Sequence, residues 1–181
     1  MAEPLVKTAM SIADIQDVPS PEAFRQAMAN LGAGVAIITS DGPAGLAGCT
    51  VSAVTSVSDQ PPTLLVCLNR TSRNNRVMRE NGSLCVNLLG HRNQPLAARF
   101  ADGSLTVERR FEEGSWNYPA DGSPALDNAL ASLQCAVTDM SEVGSHTVFF
   151  LTVHSIGFGE PGEGLAYFQR RFHGLPLANA S

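Results

Sequence analysis

A chain of 181 residues, 44% hydrophobic and 16% charged, is long enough to bury a core without disulfide or metal, and too apolar to be disordered. Its formal net charge of −5 argues against a nucleic-acid binder or a membrane-surface protein, since both need a basic excess. Lys7 is the only lysine, which argues against Schiff-base chemistry and lysine-based phosphate loops, so an anion site must use arginine, hydroxyls and backbone amides.

Residues 1–19 read as a tail with no continuous apolar segment of signal-peptide type, and no membrane span follows. Ser20 as N-cap and Pro21 at the first helical position then open a helix. Phe24, Ala27, Met28 and Leu31 give it an apolar stripe, and Gly32 and Gly34 end it. Residues 35–39 predict a strand, 41–43 a turn, and 46–58 one long strand of small residues. Pro61 and Pro62 make 59–62 a turn, because proline cannot continue a ladder. A buried strand over 63–68 leads to a helix over 72–81, for which Gly82 supplies a left-handed cap. Residues 83–89 predict a strand and 94–100 a short helix, while 101–128, around Trp116, is the loosest stretch. The pattern returns to β over 133–138, 146–156 and 165–168. At least six strands against three short helices predict a mainly β fold, a small barrel with peripheral helices. One domain spans 20–175, with tails at 1–19 and 176–181.

Several familiar motifs are missing. The string from Gly157 through Gly159 to Gly162 matches a dinucleotide fingerprint in letters only: Pro161 stands where the helix must start, and 19 residues are too few for the rest of the unit. It reads as a hairpin loop. Cys49, Cys67, Cys85 and Cys135 never form C-x-x-C or a zinc-spaced cluster with histidine, so no metal site is expected. Set in apolar runs, they read as free thiols of a cytoplasmic protein.

Three segments carry chemistry. In 48–58, strict alternation puts Thr50, Ser52, Ser56 and Ser58 on one face and Cys49, Val51, Ala53 and Val57 on the other. Such a hydroxyl face suits either close approach of a flat ligand or an ordinary solvated sheet. Next, Ser72 caps a helix that opens beside Arg70, Arg73, Arg76 and Arg79, the only concentrated positive patch. Its first-turn amides suit an anion; the competing reading is a solvated helix face balanced by Glu80 and other acids. Last, His146 follows Gly144 and Ser145 at the mouth of an apolar strand. His91, His154 and His173 read as structural or solvated.

In this order the strings resemble the short-chain flavin reductase family, the reductase components of two-component flavin monooxygenases. The resemblance runs from Phe24 through Gly34-Val-Ala-Ile-Ile-Thr39, then Gly45 to Val57, Pro61 to Ser72 and Glu80 to Asn87. It ends with Val143-Gly144-Ser145-His146 and Tyr167 to Phe172. It implies the FMN-binding split barrel, a Greek-key β-barrel, as a homodimer. It further implies hydride transfer from NADH to FMN or FAD, with FMN favoured, and release of reduced flavin to a partner monooxygenase. The alternative is a split-barrel flavoprotein that retains its flavin as carrier or sensor. Implied flavin contacts are Thr50, Val51, Ser52, Ala53, Ser58, Cys67, Asn69, Ser72, Arg73, Asn87 and Phe100. His146, Tyr167 and Arg170 are implied to meet NADH, His146 as the catalytic residue. Gly144-Ser145-His146 departs from the family's common Gly-Asp-His, which leaves no acid before the histidine.

Overall fold

The computed structural model describes residues 17–120 and 122–177; most of the two predicted tails, Lys7 included, lies outside them. The Ser20 side chain accepts from the Ala23 amide, and α1 spans Pro21–Met28. The helix stops before Leu31, and none of its residues is buried: Phe24, Met28 and Leu31 all stand exposed. Its apolar stripe faces outward.

The strands that follow are β1 (Ala33–Gly34), β2 (Ala36–Ser40), β3 (Ala47–Val51), β4 (Val54–Asp59) and β5 (Pro62–Asn69). Next come α2 (Arg73–Asn81), β6 (Ser83–Leu88), a 3-10 turn (His91–Asn93) and α3 (Gln94–Ala101). The segment read as loose holds α4 (Val107–Phe111), β7 (Trp116–Asn117) and β8 (Ala125–Leu126). The chain ends in β9 (Ala131–Val143), β10 (His146–Phe158), β11 (Gly164–Phe168) and β12 (Arg171–Leu175).

Seven strands form one antiparallel sheet in the order β3-β2-β6-β9-β10-β5-β4. β3 and β4 are consecutive in sequence yet occupy opposite edges, with only Ser52 and Ala53 between them. Two residues span that gap only if the sheet curls round until its edges meet, so the sheet is a barrel. The expected single strand over 46–58 is therefore two strands, because barrel closure breaks it at Ser52–Ala53. The Ala53 carbonyl accepts from the Cys67 amide at 3.1 Å, while no ladder joins β3 to β4, leaving the barrel split along that line.

Alternation along the sheet sorts the side chains. Ile38, Val51, Leu64, Val66, Leu84, Val86, Cys135, Phe149 and Leu151 fill the barrel. α2 connects β5 to β6 and adds Val77 and Met78 to this core. Ile37, Leu89, Ala97, Phe100, Leu126 and Leu165 form a second core outside the barrel, under α3 and the β1-β11-β12 sheet. The hydroxyl face predicted for 48–58 does not survive. Thr50 pairs with Ile37 on the outer side, and a register shift between Ser56 and Ser58 moves Ser58 to the face opposite Ser56.

β9 and β10 are each 13 residues long and β12 was missed, so the predicted strands are too few and too short. Nor is the segment 157–162 a hairpin loop. β11 pairs with β1 and β12, so this segment carries the chain from the barrel to the second sheet. A Cβ at Gly159 would lie 1.9 Å from the Ala129 carbonyl oxygen, and that oxygen belongs to backbone that cannot swing aside. Gly159→Ala should therefore lower stability by about 2 kcal/mol, read as a fall of several degrees in thermal unfolding.

Candidate active site

Two adjoining clefts open beside the β3–β4 crossing. The larger, about 670 Å³, is walled by Cys49 and Thr50 of β3, Ser72 to Asn74 at the start of α2, Phe100 and Ala101 of α3, and Gly103, Leu105 to Glu108 and Arg110. The smaller, about 310 Å³, lies between Thr50, Val51, Ser52 and the β11–β12 hairpin, from which Tyr167, Arg170 and Phe172 face it. Thr50 and Ala101 line both, so the two clefts adjoin across these residues.

Local chemistry builds the cationic end of the larger cleft. Asn69 Oδ1 accepts from the Thr71 amide and hydroxyl, which folds the turn after β5. Ser72 Oγ donates to the Asn69 carbonyl at 2.8 Å and accepts from the Asn75 amide at 3.1 Å, capping α2. That cap leaves the first-turn amides of Arg73 and Asn74 without intrahelical acceptors, at the positive end of the helix dipole. Arg73 donates to the Leu46 carbonyl at 3.0 Å. Arg110, from α4, donates to the Gly48 carbonyl at 2.9 Å and the Asp102 carbonyl at 2.8 Å; its buried Nε has no partner among the described residues. The Glu108 carboxyl is held below its usual pKa by its own backbone N–H, by the Thr106 hydroxyl and by the charge of Arg73.

The apolar wall is equally specific. Phe100 packs on Phe111 and Trp116 with ring centroids 5.0 and 5.3 Å away. A Cβ on Gly48 would come within 2.7 Å of Phe100, so glycine there lets β3 lie directly on that ring. Thr50 Oγ1 donates to the Ala97 carbonyl at 2.6 Å, tying α3 to the strand. Burial pushes the Cys49 thiol up to about 12 against the lowering effect of Arg110, so the thiol stays protonated at neutral pH.

At the hairpin tip, Gln169 and Arg170 hold φ of 47° and 61°, a left-handed pair that neither side chain favours. The Gln169 amide donates to the Ala29 carbonyl at 2.7 Å, pinning the turn to the end of α1.

The structure thus gathers Thr50, Val51, Ser52, Ser72, Arg73, Phe100, Tyr167 and Arg170 around the two clefts. Ala53, Cys67, Asn69 and His146 lie along an adjoining strip. Ala53 bonds to Cys67, and Asn69 faces His146 across the β5–β10 ladder. His146 is exposed and lines neither cleft, with Ser145 Oγ 2.9 Å from its Nδ1.

Two expected residues stand apart. Ser58 accepts from the Gln60 amide at the far end of β4. Asn87 is fully buried, and its amide is saturated: it donates to the Ile37 carbonyl and accepts from the Leu126 amide and the Ser132 hydroxyl. Sequence reasoning missed Arg110, Glu108, Gly48 and the Phe111–Trp116 pair; the two aromatics in an otherwise polar stretch were the available signal.

Comparison with known proteins gives the family. A family model described as flavin reductase like domain matches residues 28–176. The chain is 46% identical to the 4-hydroxyphenylacetate 3-monooxygenase reductase component of Pseudomonas aeruginosa, over 87% of this chain and 93% of that one. It is 44% identical to the FMN reductase (NADH) RutF of Pantoea ananatis, over 94% and 90%. Among solved structures, the styrene monooxygenase flavin reductase of Pseudomonas putida S12 superposes with a TM-score of 0.76 at 31% identity, covering 86% of this chain and 98% of that one.

Proposed function

The chain belongs to the flavin reductase like domain family, and on that premise we propose that the two clefts and the adjoining strip are where flavin and NADH meet. The protein is an NADH-dependent flavin reductase of mainly β, split-barrel fold that supplies reduced flavin to a monooxygenase component. The observation that carries the placement is adjacency. A cationic end at Arg73, Arg110 and the α2 amides lies, across the shared residues Thr50 and Ala101, next to a space bordered by Ser52 and Tyr167. That sequence of chemistries fits a flavin: phosphate at the helix start, ring system beside small side chains and exposed backbone. FMN, which ends at the first phosphate, is the favoured substrate.

Bound flavin would supply the hydride acceptor and NADH the hydride. The protein's part is orientation. The Ser72 cap and Arg73 fix the phosphate end. The Ser52–Ala53 crossing, held by the Cys67 amide, would border the flavin rings. Backbone N–H groups near this crossing would stabilise negative charge on the reduced flavin. His146, opposite Asn69 on the β5–β10 ladder, and Tyr167 and Arg170 on the hairpin would together place the nicotinamide. His146→Ala should raise the KM for NADH about tenfold and leave the KM for flavin nearly unchanged. An equal rise in both would remove His146 from this role.

The exposed apolar residues of α1, the turn after it and the end of β10, Phe24, Met28, Leu31, Ile156 and Phe158, support a homodimer that covers them. Sedimentation at micromolar concentration checks this. Four free cysteines, and no helix of the described residues long and apolar enough to cross a membrane, support a cytoplasmic setting.

The function is tested by NADH oxidation with no flavin, with FMN and with FAD. Turnover should require added flavin and saturate in it. Tight flavin retention without NADH turnover would instead mark a carrier.

A further inference from the structure

A third concavity, about 510 Å³, shares no residue with the two clefts. It lies between α2 and the β9–β10 turn and is walled by Arg70, Thr71, Asn75, Arg76, Arg79, Glu142, Gly144 and Ser145. Three guanidinium groups face one carboxylate in a protein whose net charge is −5. Glu142 takes two of them: its carboxylate oxygens lie 2.7 Å from Arg79 and 2.7 Å from Arg70. Hydrogen bonding from Arg79 and the charge of Arg70 hold the Glu142 carboxyl below its usual pKa, so it stays ionised. Arg70 is also fixed by the Gly144 carbonyl at 3.2 Å. Arg76, one turn before Arg79 on the same helix face, makes no ion pair or side-chain hydrogen bond among the described residues. The balancing acid is Glu142 from the β9–β10 hairpin, and it leaves a net excess of positive charge in a concave space.

We infer that this concavity is a second anion site, built for a diphosphate, in which Glu142 acts as an internal counter-ion that an incoming phosphoryl group must share or displace. The guanidinium groups offer paired N–H donors that match phosphate oxygens, and Thr71 and Ser145 add hydroxyls at the rim. Ser145 also lies within hydrogen-bond distance of His146. A dinucleotide with its nicotinamide at His146 has its diphosphate within reach of this site, an assignment that rests on the functional reading above. The same chemistry is met by a free nucleotide diphosphate acting as an effector.

The test uses the full chain saturated with FMN, so that the Arg73–Arg110 end is filled, and inorganic pyrophosphate as the probe in calorimetry. One saturable site per chain is expected, weakened by salt. Arg76→Gln, which removes an exposed side chain with no partner, should weaken pyrophosphate about tenfold. Glu142→Gln should tighten it several-fold, a direction that a solvated surface cluster held together by Glu142 does not produce. Competition between pyrophosphate and NADH, lost in Arg76→Gln, identifies the dinucleotide as the source of the diphosphate. Binding without competition identifies a free nucleotide. Absence of saturable binding, or binding indifferent to both substitutions, overturns the proposal. Flavin-dependent NADH oxidation in the same preparation reports separately whether the functional reading stands.

Discussion

Replacing Asn87 with alanine should destabilise the protein by about 3–5 kcal/mol, and the molecules that remain folded should bind flavin normally. The side chain is fully buried and joins three elements. It donates to the Ile37 carbonyl of β2 at 3.1 Å, and accepts from the Leu126 amide of β8 and the Ser132 hydroxyl of β9, both at 2.8 Å. Alanine leaves these groups without a partner in a site that no protein side chain refills, and each orphaned buried group costs about 1–3 kcal/mol. Thermal unfolding should fall by roughly 10 °C. The resemblance alone places Asn87 against the flavin, and that role makes the opposite prediction: a raised KM for flavin at unchanged melting temperature. The two measurements separate the roles cleanly.

Arg73→Ala should act in the reverse manner. Its guanidinium is exposed, its only hydrogen bond among the described residues runs to the Leu46 carbonyl, and it borders the larger cleft beside the α2 amides. Stability should change little. Loss of a charge-assisted contact to phosphate, about 2 kcal/mol, should raise the KM for FMN about thirtyfold, with kcat at saturating FMN nearly unchanged. Riboflavin lacks the phosphate and should show almost no difference between the two proteins. Equal losses for FMN and riboflavin would place Arg73 against the ring rather than the phosphate.

How much of this was legible in the sequence depends on how local each signal is. The start of α1 at Ser20–Pro21, the Ser72 cap of α2 and its left-handed end at Gly82 were all readable, because a cap is decided within four residues. The break at Ser52–Ala53 was not. No proline or glycine marks it, and only the meeting of β3 and β4 at opposite sheet edges requires it. The β11–β12 turn was hidden for a different reason: it uses Gln169 and Arg170 at positive φ, where the usual hairpin signal is asparagine or glycine.

The site shows the same division. Thr50, Ser52, Ser72 and Arg73 line the clefts, and the hydroxyls and the capped, arginine-rich helix start were visible along the chain; their reading as flavin contacts comes from the resemblance. Arg110 was not. It follows Glu108 and Arg109, and only the fold selects it to bond Gly48 and leave its Nε buried. Asn87 shows the converse error: a buried structural amide and a ligand-binding amide look identical in a strand, and its partners on β2, β8 and β9 lie 39 to 50 residues away.

Trp116 offers the most direct test of the central claim that flavin is a dissociable substrate held in these clefts. It is the only tryptophan in the chain, and its ring lies 5.3 Å from Phe100, which walls the larger cleft. Titration with FMN should quench its emission saturably, dialysis should restore the emission, and half-saturation should coincide with the KM for FMN in NADH oxidation. Flavin-dependent turnover with Trp116 emission unchanged except by inner-filter absorption, or quenching that dialysis cannot reverse, would contradict the account.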